Sequence, residues 1–279
     1  MGISMRATVL PFYRVLAFGV ALTLGSGTAF AQDESTDAPP LLRDVNGDGA
    51  VNILAFGDSL TRGVGDFTSP DEEDAPLTFP EGEAGYPLRV ERLLGVSVEN
   101  FGSPGEQFND TGLQRYIDAL RRSFRDIAIF SEGANDARTP ISGGTFFNLL
   151  QLAVNVTRAM GSQPVVMTIV PTCCGHSFLS PSVELYNGIT RAVAISNEIP
   201  IADVNRGFRN TCNVGSCYLL NLQEGLHPNS EGYDVMGEIV ASTLLQINLF
   251  APDGPALLAQ ALGVPPESIK TVPDPVVTP

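Results

Sequence analysis

Four residues could carry acyl-transfer chemistry: three follow short apolar runs of the sequence, and the fourth precedes the last long helical segment. Ser59 lies in Gly-Asp-Ser-Leu, Gly105 ends Gly-Ser-Pro-Gly, Asn135 lies in Gly-Ala-Asn-Asp, and His227 opens His-Pro-Asn. A serine becomes a nucleophile when a histidine accepts its proton, and a backbone N–H together with a side-chain amide can stabilise an oxyanion. In this order the four residues supply a nucleophile, two hydrogen-bond donors and a base.

Each of these signals has a plainer explanation when it is taken singly. A serine at the start of a helix is most often a cap, and Asp58 and Asp136 are expected to accept hydrogen bonds from backbone N–H groups in turns. His176, the other histidine of the chain, could line a pocket, although an exposed loop histidine is the commoner case. The ordered set, rather than any one member, therefore indicates chemistry.

The elements that must position these residues follow from the hydrophobic pattern. Short apolar runs predict five strands, and segments with helical spacing lie between them. This alternation predicts a parallel sheet covered on both faces, with functional groups at the carboxyl ends of its strands. The predicted strands are Val51–Phe56, Val96–Phe101, Asp126–Phe130, Val165–Val170 and Ile199–Val204, and the predicted helices are Leu113–Phe124, Gly144–Met160, Val183–Asn197, Asn229–Leu249 and Pro255–Leu262.

The four blocks together resemble those of the SGNH or GDSL esterases and lipases, over about residues 50–248. The resemblance implies that Ser59 is the nucleophile and His227 the general base. It also implies an oxyanion hole made of the backbone N–H groups of Ser59 and Gly105 and the side chain of Asn135. The implied fold is a three-layer α/β/α sandwich with a central five-stranded parallel sheet, which is flavodoxin-like, and no cofactor is implied.

One position departs from the pattern of that family. The family usually places an aspartate three residues before the histidine, whereas this chain has Glu224. A glutamate can orient an imidazole as an aspartate does, but its extra methylene requires a shifted loop or a side chain that folds back. We expect Glu224 to be the third member of the triad; the alternative is that it faces solvent and another group orients His227.

The N-terminal segment indicates export. Arg6 and Arg14 precede an apolar run at residues 15–24, and Ala29-Phe30-Ala31 follows, as in a secretory signal peptide. We expect cleavage after Ala31 and a secreted or periplasmic product without a stable membrane span. The expected organisation is a signal peptide at 1–31, a flank at 32–49, the hydrolase domain at 50–250 and a tail with a Pro-rich, disordered end at 251–279.

Export favours disulfide bonds among the four cysteines, which are Cys173, Cys174, Cys212 and Cys217. The pairing is left open. Either two bridges join the 171–180 and 210–218 loops, or one bridge joins Cys212 to Cys217, and a bond between the adjacent Cys173 and Cys174 would be strained. A zinc site that includes His176 is the less favoured interpretation, because adjacent cysteines are poorly spaced for ligating one metal.

A short segment before the first predicted strand imitates the start of a calcium loop. Asp44, Asn46 and Asp48 stand at its first, third and fifth positions, but Ala55 occupies the twelfth, where a bidentate carboxylate is required. We interpret the segment as an Asn/Asp/Gly turn that binds calcium weakly or not at all. It motivates a non-enzymatic alternative, a calcium-dependent secreted binding module.

The net charge of −15 over 279 residues excludes most nucleic-acid binders, which need a basic surface. Seven of the acids fall between residues 66 and 85, where they could either border the site and repel anionic substrates or form a solvated loop. They are Asp66, Asp71, Glu72, Glu73, Asp74, Glu81 and Glu83.

These observations together predict a secreted serine esterase. The expected substrates are small-molecule or carbohydrate esters of short acyl chains, so the protein would be a short-chain carboxylesterase or a carbohydrate acetylesterase. A lysophospholipase or lipase is the alternative enzyme. The chain is expected to act as a monomer.

Overall fold

The computed structural model describes residues 41–66, 85–212 and 215–269. All of them belong to one compact unit, residues 38–279. The predicted signal peptide, half of the flank, six of the seven clustered acids and the predicted disordered end of the tail lie outside the described residues. Within the described ranges, no helix is both long and apolar enough to cross a membrane.

Five parallel strands form the centre of the fold, in the order β2-β1-β3-β4-β5. Their bounds are β1 Asn52–Gly57, β2 Ser97–Gly102, β3 Ile127–Ser131, β4 Gln163–Met167 and β5 Ile201–Ala202. This is the flavodoxin-like order, in which the chain reverses its direction of winding between β1 and β3. The strands β1 and β3 are buried along nearly their whole length, which explains their almost uninterrupted apolar sequences.

Helices cover both faces of the sheet and give the expected three-layer α/β/α sandwich. One layer contains α2, which packs on α8, and α7, which also contacts α8; the other contains α5, which packs between α3 and α6. The helices of the described ranges are α1 Ser59–Arg62, α2 Gly85–Leu94, α3 Leu113–Arg122, α4 Ala134–Arg138, α5 Gly143–Ala159, α6 Ser180–Asn197, α7 Val204–Thr211, α8 Ser230–Leu244 and α9 Gly254–Leu262.

Each predicted strand exists, but the last two are shorter at their carboxyl ends than the apolar runs. The side chain of Asn187 bonds both the N–H and the carbonyl of Ile169, so this residue takes no neighbour in the sheet. The side chain of Asp203 accepts the N–H of Arg206 and caps α7. Val204 is therefore the first residue of a helix, not the last residue of a strand.

The predicted helices are also present, with ends that differ by a few residues. The largest difference is at the C-terminus of α8, which ends at Leu244 rather than Leu249, before Gln246 adopts a left-handed conformation (φ 59°). The helix α2 was not predicted, because its first three residues include Gly85 and Pro87, which favour turns in a sequence. Proline is tolerated there because the first turn of a helix has no internal partner for its N–H groups.

Candidate active site

Ser59 lies at the first turn of α1, directly after β1, which is flanked by β2 and β3 in the sheet. Asp58 caps this short helix by accepting the N–H of Leu60 at 2.9 Å. The turn requires glycine at its start, because a Cβ on Gly57 would stand 2.2 Å from the carbonyl oxygen of Ser131. Close approach of strand ends thus holds a buried serine (6% exposed) at the edge of the sheet.

A closed loop before α8 brings His227 to this serine. The N–H of Asn229 bonds the carbonyl of Leu219, and the N–H of Asn221 bonds the carbonyl of His227 at 2.9 Å. The side chain of Asn229 then caps α8 by accepting the N–H of Gly232. In this position His227 Nε2 lies 2.8 Å from Ser59 Oγ, although 168 positions separate the two residues in the chain.

Glu224 reaches the other ring nitrogen of the histidine. Its Oε1 lies 2.8 Å from His227 Nδ1, while its Oε2 accepts the N–H of His227 at 2.7 Å and that of Leu226 at 3.1 Å. The longer side chain is therefore accommodated by folding back onto the amides that follow it. Burial by itself would raise the pKa of Glu224, but the hydrogen bonds and charge of His227 outweigh it, and the pKa lies below its usual value.

The expected oxyanion donors come from the two strands that flank β1. Gly57 lies level with Gly102 at the end of β2 and with Ser131 at the end of β3, so the three following turns begin side by side. Gly105, in the turn after β2, adopts a left-handed conformation (φ 82°) with no atom near the position of a Cβ. Asn135 lies in α4, and its Nδ2 is 3.4 Å from Asp58 Oδ2, beside the nucleophile turn.

The two aspartates next to these residues bond backbone, as the sequence predicts. Asp136 accepts the N–H groups of Phe108 and Asn109 at 2.8 and 3.0 Å, and thereby joins α4 to the turn after β2. Asp58 is fully buried. Burial, together with the nearby carboxylates of Asp136 and Glu106, raises the pKa of Asp58 to about 6.

Sequence reasoning missed an arginine beneath the site. Arg115 on α3 donates to the carbonyl of Gly57 at 2.9 Å and to the carbonyl of Phe101 at 2.7 Å, and it also bonds Glu106, the neighbour of Gly105. It thus joins the nucleophile turn to the turn that carries Gly105. No sequence signal indicates this role, because a charged residue on an amphipathic helix is normally solvated.

A second buried acid lies close to this arginine. Both carboxyl oxygens of Glu132 lack a hydrogen-bond partner among the described residues, and Arg115 Nη2 is 3.9 Å away. Burial and the neighbouring acids, Asp58 foremost, raise the pKa of Glu132 well above its usual value. The buried, acidic surroundings of Glu132 therefore favour its neutral form.

The cysteines adopt the second of the two expected arrangements, a single bridge. Cys212 and Cys217 are bonded to each other, with Cα atoms 4.7 Å apart. Cys173 and Cys174 are free thiols whose sulfur atoms lie 2.6 Å apart, so neither bridge between the 171–180 and 210–218 loops is formed. The physical reason is local: α7 ends just before Cys212, and the Cα atom of Cys217 lies within the distance that a disulfide bond spans.

The calcium-like segment is a turn closed on itself. Asp44 accepts the N–H groups of Gly47 and Gly49 at 2.6 and 2.7 Å, and Asn46 and Asp48 bond each other's side chains. The carboxylate that would be the first calcium ligand thus already holds backbone donors. Among the described residues, no group of three or more His, Cys, Asp or Glu side chains could hold a metal ion.

Asp66 differs from the expectation of an acidic loop. Its carboxylate is fully buried and accepts bonds from Arg89, from the N–H of Gly85 and from the hydroxyl of Ser230. Asp66 therefore links position 66 to the first residue of α2 and connects α2 to α8. It does not contribute to a negatively charged surface.

A doubly wound α/β sheet with serine, histidine and a carboxylate hydrogen-bonded in series at its carboxyl edge defines a class of hydrolase-like proteins. The chain belongs to the GDSL-like lipase/acylhydrolase family, which it matches over residues 55–235. By this membership it is a hydrolase that acts on esters.

Several solved structures share the fold of this chain. A lipase/acylhydrolase from Enterococcus faecalis is 22% identical, with a TM-score of 0.56 over 70% of this chain and 96% of that chain. A carbohydrate acetylesterase from Sinorhizobium meliloti is 17% identical, with a TM-score of 0.56 over 69% of this chain and 97% of that chain. An aryl esterase from M. smegmatis is 16% identical, with a TM-score of 0.56 over 69% of this chain and 97% of that chain. No curated protein matches the chain significantly.

Proposed function

We propose that this protein is an exported serine esterase that hydrolyses esters of short acyl chains, as a short-chain carboxylesterase or a carbohydrate acetylesterase. The observation that carries the proposal is the series of hydrogen bonds from Ser59 Oγ through the ring of His227 to Glu224, with 2.8 Å at both steps. A serine so placed can lose its proton to the imidazole as it attacks an ester carbonyl.

The first half of the proposed reaction forms an acyl-serine. His227 Nε2 accepts the Ser59 proton while Ser59 Oγ bonds the carbonyl carbon. Negative charge develops on the carbonyl oxygen, opposite the backbone N–H groups of Ser59 and Gly105 and the amide of Asn135. Collapse of this intermediate expels the alcohol, which takes the proton from His227.

The second half regenerates the enzyme. A water molecule gives its proton to His227 Nε2 and attacks the acyl carbon, and the acid leaves as Ser59 recovers the proton. Glu224 stays ionised throughout and stabilises the imidazolium, a role that its lowered pKa suits. Arg115 supports the geometry because it holds the carbonyls of Gly57 and Phe101, on the two strands that precede the reacting turns.

The proposed preference for short, neutral esters is supported by the names of two structural relatives and by the net charge of the protein. One structural relative is titled a carbohydrate acetylesterase and another an aryl esterase. The net charge of −15 disfavours anionic substrates. One observation favours the alternative of a lysophospholipase or lipase: the loops that hold His176 and Glu224 expose Phe178, Tyr218 and Leu222, which could contact a long acyl chain.

A panel of nitrophenyl esters from acetate to palmitate, with acetylated xylan beside it, tests both functions. We expect kcat/KM to fall from acetate and butyrate towards palmitate, whereas a rise towards palmitate would support the lipase alternative. Ser59→Ala is the matched control. It should lower kcat by a factor on the order of 10⁴ or more without changing the unfolding temperature. Turnover that persists in that variant would sink the assignment of the nucleophile.

Export is proposed on the sequence of residues 1–31, which lie outside the described part of the structure. Expression of the full chain in a secreting bacterial host, followed by N-terminal sequencing of the exported protein, should give a chain that begins at Gln32. A product that keeps the first 31 residues and stays in the cell would contradict the proposal.

A further inference from the structure

A second histidine lies against the acid of the proposed triad. The Nδ1 of His176 is 3.1 Å from Oε1 of Glu224 and 2.8 Å from the backbone carbonyl oxygen of the same residue. Both neighbours are hydrogen-bond acceptors only, so Nδ1 of His176 must carry a proton to bond either of them. Oε1 of Glu224 therefore lies between two imidazole donors, Nδ1 of His227 and Nδ1 of His176.

The two oxygens of the carboxylate have different contacts. Oε2 of Glu224 accepts two backbone N–H groups, whereas Oε1 lies 2.8 Å from Nδ1 of His227 and 3.1 Å from Nδ1 of His176. The single proton on Nδ1 of His176 is donated to the nearer acceptor, the backbone carbonyl of Glu224, and this bond keeps the ring beside Oε1. A glutamate has one more rotatable bond than an aspartate and would lose more conformational freedom on being fixed. The ring of His176 restricts the rotation that would otherwise move Oε1 away from His227.

The backbone around His176 is built to hold this contact. The residue lies in a short 3₁₀ helix, Cys174–Leu179, that follows β4, and the N–H of Cys173 bonds the carbonyl of Gly225 at 2.9 Å. Gly225 has a left-handed conformation (φ 80°), and a Cβ there would lie 2.2 Å from the carbonyl oxygen of Cys173. The segment that carries His176 thus touches the loop that carries Glu224 on both sides of the acid.

We infer that His176 is a positioning residue for the esterase reaction: it donates a hydrogen bond from Nδ1 to Glu224 and holds Oε1 in line with His227. The inference rests on the proposed function, because it assigns a partner to the proposed triad acid. His176 transfers no proton in the reaction and acts only through Glu224.

The test compares variants that differ in the position of one donor. His176→Asn places an amide nitrogen where Nδ1 lies, whereas His176→Leu removes the donor and His176→Gln moves it one bond further out. Loss of the contacts between Nδ1 of His176 and Glu224 should lower kcat on nitrophenyl acetate about tenfold in the Leu and Gln variants. The Asn variant should keep kcat within about threefold of wild type, and KM should change less than twofold in all three.

A double-mutant cycle with Glu224→Ala separates positioning from a general structural role. If His176 acts through the carboxylate, His176→Leu should cause no further loss of kcat in the Glu224→Ala background. The inference is overturned if His176→Leu is as active as wild type, if the Asn variant is as impaired as the Leu variant, or if the loss is the same in both backgrounds. If the Leu variant fails to fold, the Asn and Gln pair decides by the same criterion.

The same experiments distinguish this inference from the proposed function. Failure of the proposed function would appear as full turnover in Ser59→Ala or Glu224→Ala. Failure of the inference alone would appear as an active wild type that loses activity in Ser59→Ala and Glu224→Ala but not in His176→Leu.

Discussion

At the scale of single residues, the site depends on how one carboxylate is held. Oε2 of Glu224 receives two backbone N–H groups and Oε1 receives His227, so the two oxygens have different partners. This asymmetry explains how a glutamate occupies a position where the family usually has aspartate. It also determines what an amide substitution would do.

Glu224→Gln should lower kcat by about 10³ to 10⁴. The backbone N–H groups of Leu226 and His227 require an acceptor, so the carbonyl oxygen of the glutamine must take the place of Oε2. Its NH₂ group would then face Nδ1 of His227 and force the ring proton onto Nε2. A protonated Nε2 cannot accept the proton of Ser59. Steady-state kinetics on nitrophenyl acetate would measure this, and turnover within a few-fold of wild type would show that Glu224 does not orient the histidine.

Asp58→Asn should change the pH dependence of stability. The folded-state pKa of Asp58, about 6, lies above its usual value of 3.8, so the folded protein binds this proton more tightly than the unfolded chain. Its contribution is fully present below pH 3.8 and is lost as the pH rises through 6. Asparagine keeps the cap of α1 without that loss. From urea unfolding, the variant should therefore gain about 2 kcal/mol over wild type between pH 4 and pH 7. A pH-independent difference would contradict the assignment.

At the scale of elements, the site is produced by the register of three parallel strands. The strand β1 pairs with both β2 and β3, and their last residues lie level, so the turns that carry Ser59, Gly105 and Asn135 begin at one edge. Arg115 reinforces this edge from α3 through the carbonyls that end β1 and β2.

Gly57→Ala should disturb this edge. The added Cβ would lie 2.2 Å from both the carbonyl oxygen of Ser131 and Oγ1 of Thr61, so the end of β3 or the first turn of α1 must move. We expect a loss of about 1–3 kcal/mol in the free energy of unfolding, together with a fall in kcat larger than the change in KM.

Gly188→Ala is the matched control for this substitution. Gly188 is exposed in the interior of α6, and a Cβ there meets no atom within 4 Å. This change should be neutral or stabilise the protein by up to about 1 kcal/mol, with kcat unchanged. Equal effects of the two substitutions would show that close approach at Gly57 does not shape the site.

At the scale of the whole molecule, the net charge of the protein acts on a charged substrate before the two molecules touch. The chain carries a net charge of −15, and an acidic protein repels an anionic ester during encounter. Asp66, one of the seven clustered acids, is buried and paired with Arg89, so it takes no part in this field at the surface.

A neutral nitrophenyl acetate should therefore give a higher kcat/KM than the nitrophenyl monoester of succinate, which carries a carboxylate. Added sodium chloride should reduce the difference, because the screening length falls from roughly 30 Å at 0.01 M to roughly 3 Å at 1 M. The measurement is the ratio of kcat/KM for the two esters across that range of salt concentration. A ratio that does not change with salt would assign the discrimination to local contacts instead.

The sequence by itself determined the alternation of strands and helices, the strand ends that carry Ser59, Gly105 and Asn135, and the family. These features depend on local periodicity and on short blocks of residues, which can be recognised without knowing the path of the chain. Five strands were predicted, and the described part of the chain contains five. The errors at their ends come from Asn187 and Asp203, whose side chains replace strand pairing or begin a helix.

Only the tertiary structure decided the contacts between residues far apart in the chain. The approach of His176 to Glu224 and the role of Arg115 both depend on how distant segments of the chain return to the edge of the sheet. Such paths are set by packing and by the hydrogen bonding of buried polar groups, and neither leaves a periodic signal in the sequence. The residues that perform the proposed chemistry can therefore be predicted from the sequence, whereas the residues that hold them in place can be identified only from the tertiary structure.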